Sequence, residues 1–277
     1  MPELPEVQTI VSDLEILVGQ QFNGFFSAVP KAIKNISPAS FTQEITGQKI
    51  KSVSRLGKII LIRLVNNKTI AIHLKMTGKL IINNQKSIIK NQSNRSKHLH
   101  HIFFLKNKVL KFYDVRKFAT ISLLDDTDLA IIKNNYGLDP ITDTFSLKQF
   151  SDLIIRGKTR QIKEVLMHNA LILGIGNIYA SEILFDAHIL PNRKADSLNE
   201  KELKVLHKSI TKILTKAIKM RGTSISDYRD ANDKSGSFQN YLFAYRRSGQ
   251  KCKKCGTIIS RSVIAQRSTF FCPKCQK

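Results

Sequence analysis

CKKCGTIISRSVIAQRSTFFCPKC, residues 252–275, holds all four cysteines of a 277-residue chain. Two Cys-x2-Cys pairs stand sixteen residues apart. Each pair bends so that both thiolates face one ion, and two pairs complete a tetrahedral zinc site with no ligand position left open. The stretch therefore reads as one structural Zn2+ held by Cys252, Cys255, Cys272 and Cys275. Two redox-active dithiols would share the spacing, but no thioredoxin-like βαβ pattern surrounds them. Between the pairs, Thr257–Ile264 and Ser268–Cys272 predict a β-hairpin around Ala265-Gln266-Arg267, which puts Arg267 at or near its tip. Taken alone, an arginine there is a solvated turn residue.

Outward from this stretch the tail stays basic: residues 234–277 carry ten Lys/Arg and no Asp/Glu. The whole chain has 45 Lys+Arg against 21 Asp+Glu, a net charge of +24. Such an excess repels itself in a compact fold and indicates a polyanionic partner. AT-rich coding accounts for some of the lysines, but it inflates acidic residues as well. Hydrophobic residues at 42% and charged residues at 24% exclude wholesale disorder and fibrous repeats, and the length suffices for a core without disulfides. No apolar run reaches the roughly 20 residues of a membrane span. The start, MPELPE, lacks the basic and apolar regions of a signal peptide. A cytoplasmic location with reduced thiols is the expectation.

Helical patterns precede the tail at Ser146–Arg156, Arg160–His168, Asn177–Ala187 and Asn199–Met220, with a tight glycine-bearing segment, Asn169–Gly176, between the middle two. Before them, short β-rich runs (Ile59–Val65, Thr69–Leu74, His101–Leu105, Val109–Tyr113, Ala119–Leu124) are separated by polar turns, which reads as a sandwich or barrel. Val7, Ile10, Val11, Leu14, Leu17 and Val18 recur at helical spacing after a Pro-bearing start. Residues 83–97 and 222–240 read as polar loops. The expected fold is α+β. An N-terminal helix and β-sandwich domain spans 1–130, a linker 131–145, a helical domain 146–240 and a zinc finger 241–277.

The first residues admit two readings. Removal of Met1 would expose Pro2 as a secondary amine, and an N-terminal amine with a pKa of roughly 7.7–8.0 is partly neutral at pH 7. Such an amine is a nucleophile toward a sugar aldehyde carbon, and Glu3 and Glu6 stand beside it as candidate acids or bases. A plain helix N-terminus with favourable acids near its dipole accounts for the same residues.

With the zinc tail and the N-terminus both in view, the chain closely resembles bacterial formamidopyrimidine-DNA glycosylases, which repair oxidised purines. The motifs run in order: PELPEV at 2–7, RLGK at 55–58, HLKMTGKL at 73–80, KHLHH at 97–101, YDVRKF at 113–118, GIGNIYASEILF at 174–185, RGTSISDY at 221–228, AYRR at 244–247 and AQRSTFFCPKC at 265–275. Each is weak alone; their order together with the cysteine spacing is specific. The resemblance implies a helical domain with a helix–two-turns–helix motif, damaged double-stranded DNA as partner and a monomer acting in the bacterial cytoplasm. It implies that Pro2 attacks C1′ of the damaged nucleotide and forms a Schiff base. Glu3 then moves protons at the sugar ring and Glu6 supports the same pocket. Lys58 engages phosphate and assists β-elimination, while Arg267 grips phosphates and assists δ-elimination. Asn177 binds phosphate. Met76, Arg116 and Phe118 fill the hole left by the flipped base. His98, Lys158, Lys163 and Tyr245 fall at or next to other DNA contacts. Without the resemblance, Met76 and Phe118 read as core, Arg116 as a surface cation, and Asn177 as the start of a capped helix.

Departures from the family pattern fall at Val115, Lys117 and Ala119, at Leu99 and at His168; none removes a catalytic atom. Two rivals stand beside the leading reading. An endonuclease VIII-like glycosylase for oxidised pyrimidines shares the fold, zinc and Pro2, but typically has Gly where Leu4 stands. A non-catalytic zinc-containing DNA-binding protein would have no use for Pro2 and Glu3.

Overall fold

A computed structural model of the chain describes residues 1–84, 97–157 and 159–277. In chain order the first elements are α1 (Leu4–Leu14), β1 (Phe22–Ser27), β2 (Ile33–Lys34), α2 (Pro38–Ile45), β3 (Ile50–Leu56), β4 (Ile59–Leu64), β5 (Thr69–His73), β6 (Gly78–Asn84), β7 (Leu99–Leu105), β8 (Lys108–Asp114), β9 (Thr120–Leu124) and α3 (Asp126–Asn134). The strands form a four-stranded sheet, β1-β7-β8-β6, and a five-stranded sheet, β2-β9-β5-β4-β3. Alternation decides which faces meet. Ile60, Ile62, Ile70 and Ile72 of one sheet and Leu80, Phe103, Leu110 and Phe112 of the other share one core. The opposite face of the five-stranded sheet presents Leu61, Ala71 and Leu124, covered by Leu129 and Ile132 of α3.

Helix α1 enters this same core. Pro5 and the capping Glu6 start it, and Val7, Ile10, Val11 and Leu14 are buried, each burial stabilising by about 1.5–3 kcal/mol. The helical pattern continues as a 3-10 turn, Glu15–Leu17, and ends before Val18, which is exposed. Helix α2, its Ser37 cap bonded to Ser40 N, offers only Phe41 and Ile45 to the core, too few apolar residues for a periodic signal.

The chain divides into two compact units, Met1–Asn134 with Arg221–Ser237, and Asn135–Met220 with Phe238–Lys277. This differs from the expected helical domain over 146–240, because residues 221–237 pack with the first unit. Arg221 donates to both Asp13 and Asp230, Ala231 N donates to Asp13, and Tyr228 and Ala231 join the sandwich core. The expected linker over 131–145 is likewise built into structure. Its first residues finish α3, and Leu138 bridges Ile172 in the second unit. A Cβ on Gly137 would lie 2.0 Å from Leu171 O, so the chain crosses there only as glycine.

The second unit contains α4 (Leu147–Arg156), α5 (Ile162–Met167), α6 (Asn177–Asp186), α7 (Glu200–Lys219) and a hairpin of β10 (Ser260–Ile264) and β11 (Arg267–Phe271). Asn199 and Glu202 form a reciprocal capping box at the start of α7, and its apolar stripe, Leu203, Leu206, Ile210, Ile213 and Leu214, is buried. Among the described residues no helix is long and apolar enough to cross a membrane.

Candidate catalytic pocket and nucleic-acid interface

At the N-terminus, Pro2, Glu3 and Glu6 are buried, and Lys58, in the tight turn joining β3 and β4, is 8% exposed. Gly57 opens that turn in the left-handed region, at φ 57°. Burial pushes the Met1 α-amino group below its ordinary value; Glu3 and Glu6 oppose this and Lys58 adds to it. Buried ionisable groups thus cluster beside an α-amino group whose charged form burial disfavours, a setting in which reactive amines are found, and Glu3 and Glu6 also form a capping box at the start of α1.

Glu6 ties this pocket to the segment after Arg221. Its Oε2 accepts from Glu3 N at 2.8 Å, its Oε1 from Thr223 N at 2.7 Å, and Tyr228 OH donates to its carbonyl at 3.4 Å. With both oxygens taken by backbone N–H groups, Glu6 positions the pocket. Gly222 stands against the same carboxylate with φ +77°, and a Cβ there would meet Glu6 Oε1 at 2.7 Å. Replacing Gly222 by Ala therefore adds left-handed strain to a clash and displaces Glu6. The expected result is loss of base excision by at least about tenfold, together with a fall of about 1–2 kcal/mol in stability to urea from the left-handed strain.

The three residues expected as a wedge come from two loops held by one carboxylate. Met76 is 40% and Phe118 53% exposed, so neither is a core residue. Gly78 N donates to Leu74 O, pinching the loop closed, and Lys75 inside it is left-handed. Lys75 N donates to His73 Nδ1, and burial holds His73 down at about 4, with Lys75 and Lys58 adding, so this nitrogen stays an acceptor. Across the gap, Asp114 Oδ1 accepts from Thr77 Oγ1 at 2.5 Å and from Arg116 N at 3.2 Å, and Asp114 Oδ2 accepts from Ala119 N at 2.8 Å. The Arg116 guanidinium lies 4.6 Å over the Phe118 ring. Lys117 takes the left-handed conformation between them. Asp114 and Thr77, both buried, were not among the expected site residues; their signal was the polar pair inside two motifs. Asp114→Asn turns one acceptor into a donor facing the Ala119 N–H, so stability should fall by about 1–3 kcal/mol in urea unfolding.

In the second unit the cysteines converge. Their Sγ atoms all lie within 4.8 Å of one another, with Cys255–Cys272 at 3.5 Å and Cys252–Cys275 at 3.9 Å. A tetrahedral zinc with Zn–S near 2.3 Å requires edges of about 3.8 Å, so the four thiolates fit one structural Zn2+. The hairpin turn is two residues, Ala265 and Gln266, both left-handed. Arg267 opens β11 opposite Ile264 and is exposed.

Two residues expected at or next to DNA contacts bond to that hairpin. Lys163 is 0% exposed; its Nζ donates to Thr269 Oγ1 at 2.7 Å and to Ser268 O at 3.3 Å. Its ammonium is thereby tied to the strand that begins at Arg267. Asn177, first in α6 after the Gly176 cap, donates through Nδ2 to the same Ser268 O at 2.9 Å. Tyr245 is half-buried, its ring edge-on to Phe270 at 5.4 Å. Its N–H, with those of Phe243 and Ala244, is accepted by Glu182, a fully buried carboxylate pushed up by that burial. Glu182 was not foreseen, for the motif that carries it reads as helix core. His98 is half-buried beside β8, its carbonyl accepting from Asp114 N. Lys158 lies outside the described residues.

Family profiles match along the chain. Residues 1–121 match the formamidopyrimidine-DNA glycosylase N-terminal domain, residues 136–229 its H2TH domain, and residues 249–277 a zinc finger found in FPG and IleRS. The formamidopyrimidine-DNA glycosylase of Herpetosiphon aurantiacus is 40% identical over 279 residues, covering 100% of both chains. The Lactococcus lactis Fpg in complex with DNA containing an abasic site superposes with a TM-score of 0.90 at 34% identity, covering 99% of each chain. A mutant of that enzyme bound to DNA containing Fapy-dG matches with the same score and identity over 100% of each chain. Profile matches over three successive segments and full-length identity of this level place the chain in the formamidopyrimidine-DNA glycosylase family.

Proposed function

We propose that this chain is a bifunctional DNA glycosylase and AP lyase of base-excision repair that removes oxidised purines from duplex DNA. The observation that carries this reading is the buried cluster of Pro2, Glu3, Glu6 and Lys58 at the N-terminus. After Met1 is removed, the Pro2 nitrogen attacks C1′ of an extruded nucleotide and the bond from C1′ to the base breaks, with Glu3 moving protons at the sugar ring. The resulting iminium acidifies the C2′ proton. Its loss expels the 3′ phosphate, a second elimination expels the 5′ phosphate, and water frees the amine. Lys58 serves the first elimination and Arg267 the second. Zinc, when bound by the four cysteines, shapes the hairpin that presents Arg267. The enzyme acts as a cytoplasmic monomer on the nucleoid.

Met76 and Phe118, exposed on loops tied through Asp114, suit the hole an extruded base leaves, where apolar side chains fill the stack and kink the duplex. Arg116 alone of the three hydrogen-bonds an orphaned base. Arg116→Ala should flatten discrimination between cytosine and adenine opposite the lesion by about 1–3 kcal/mol, whereas Phe118→Ala should slow excision on either pairing. Single-turnover rates on the two duplexes check this; unchanged opposite-base ratios in Arg116→Ala would refute the assignment. Borohydride trapping on 8-oxoguanine:cytosine and on an oxidised-pyrimidine duplex tests the substrate class. Faster trapping on the pyrimidine lesion would move the chain to the endonuclease VIII-like reading.

A further inference from the structure

On the four-stranded sheet, the face turned away from the sandwich core holds a cavity of about 350 Å³, at the small end of ligand pockets. Lys79, Ile81, His98, Lys111, Tyr113 and Asp233 line it, all within the first unit. The register explains the grouping. Lys79 stands opposite Tyr113, and Ile81 opposite Lys111. The two lysines are thus diagonal neighbours on adjacent strands, roughly 7–8 Å apart at the backbone and within reach of one common ion. His98 reaches the cavity from the other side of Tyr113, whose strand neighbour is Leu99.

Two ammonium groups on one sheet face within reach of each other repel, and an anion bound between them relieves that repulsion. Against these cationic donors the cavity presents one carboxylate, Asp233, held in a left-handed turn by its N–H to Asp230 O. Burial, with Asp233 adding, pushes the Tyr113 phenol up and keeps it an O–H donor. Ile81 supplies an apolar floor at 8% exposure. A donor-rich pocket with one aromatic wall and an apolar floor is suited to a phosphate carried on a sugar and base.

We propose that this cavity is a nucleotide-phosphate subsite in which Lys79, Lys111 and His98 hold one phosphate group and Tyr113 faces the attached nucleoside. It adjoins the wedge through Thr77, which lines the same cavity and accepts the Arg116 N–H. An occupied subsite therefore bears on the turn that carries Arg116. The subsite does not depend on the identity of the nucleophile.

Titration of the whole protein at fixed ionic strength, followed by backbone amide shifts of Thr77 and Tyr113, tests the proposal. The probes are inorganic phosphate, deoxyguanosine monophosphate and an undamaged 5′-phosphorylated hexanucleotide. Saturable shifts are expected, weakened at least about tenfold in the Lys79→Gln/Lys111→Gln double variant. Lys108→Ala should leave them unchanged; it removes the same charge from the same strand, where its Nζ bonds Asn84 instead. Binding of phosphate and the mononucleotide identifies a free nucleotide as the occupant. Binding of the hexanucleotide alone identifies a strand end. No saturable shift with any probe, or shifts that persist undiminished in the double variant, overturns the subsite. Because no probe carries a lesion, either result leaves the trapping test of the glycosylase reading independent.

Discussion

A Pro2→Leu chain, which keeps Met1, forms no borohydride-trappable complex with damaged DNA, a loss of at least about a thousandfold in rate or more than about 4 kcal/mol of barrier. Position alone makes Pro2 a nucleophile, because its nitrogen is an amine only when nothing precedes it. The pocket favours that amine. Burial lowers the α-amino group of Met1 there, and the same desolvation acts on whichever amine ends the chain in this pocket, so a Pro2 amine is expected to lose its proton more readily than one in water. The sign follows directly: with a lowered pKa, trapping rises with pH and reaches its plateau below the ordinary amine value. Glu3→Gln separates the steps, since an abasic site has no base to expel; it should lose base excision and keep measurable lyase activity. Duplex binding by the Met1-retaining protein, measured by anisotropy, should stay within a few-fold. A trapped complex at the wild-type rate would transfer the nucleophile to a lysine, with Lys58 the nearest candidate.

The sequence was most legible where periodicity or spacing had a single cause. The cysteine pairs, the amphipathic stripe of α7 and the apolar β-rich runs that form β4 and β5 all lie close to their expected positions. The N-terminal helix stood out because Val7, Ile10, Val11 and Leu14 repeat at helical spacing. Beyond these elements, long-range hydrogen bonding decided the outcome. Of the expected loop 222–240, residues up to 237 are irregular while Phe238–Tyr241 is a 3-10 helix, and the place of 221–237 in the first unit depends on Asp13 and Glu6, more than 200 residues away in the chain. No local pattern encodes a partner at that separation. Lys163 misled for a related reason. The family resemblance puts this lysine at or next to a DNA contact, yet it is buried and its ammonium is held by the hairpin. Asp114 and Glu182 escaped notice because a carboxylate accepting several backbone N–H groups looks, in sequence, like any other acid.

Removing zinc should abolish DNA binding while leaving the β-sandwich folded, because the cost falls on one small cluster. Cys252 and Cys272 are themselves core, packed with Phe185, Ala244, Ile259 and Phe270. Few other apolar residues hold β10 and β11 in place. Structural zinc supplies about 10–16 kcal/mol to a finger of this kind. The bonds from Lys163 and Asn177 to Ser268 and Thr269 contribute about 0.5–3 kcal/mol each, too little to hold the hairpin once the four cysteines no longer share an ion. Lys163 would then be a buried ammonium without its acceptors, which further favours opening. The sandwich has its own core of two facing sheets and α1 and no zinc ligand. Hydrogen exchange on the whole protein with a chelator should show loss of protection across Ser260–Phe271 and unchanged protection across Ile59–Leu64 and Thr69–His73. Affinity for a duplex containing an abasic site should fall at least about a hundredfold, close to 3 kcal/mol, and Cys272→Ser should reproduce both effects. Protection of the hairpin that survives metal removal would mean that Lys163 and the apolar cluster suffice, and that the four cysteines are not what positions Arg267.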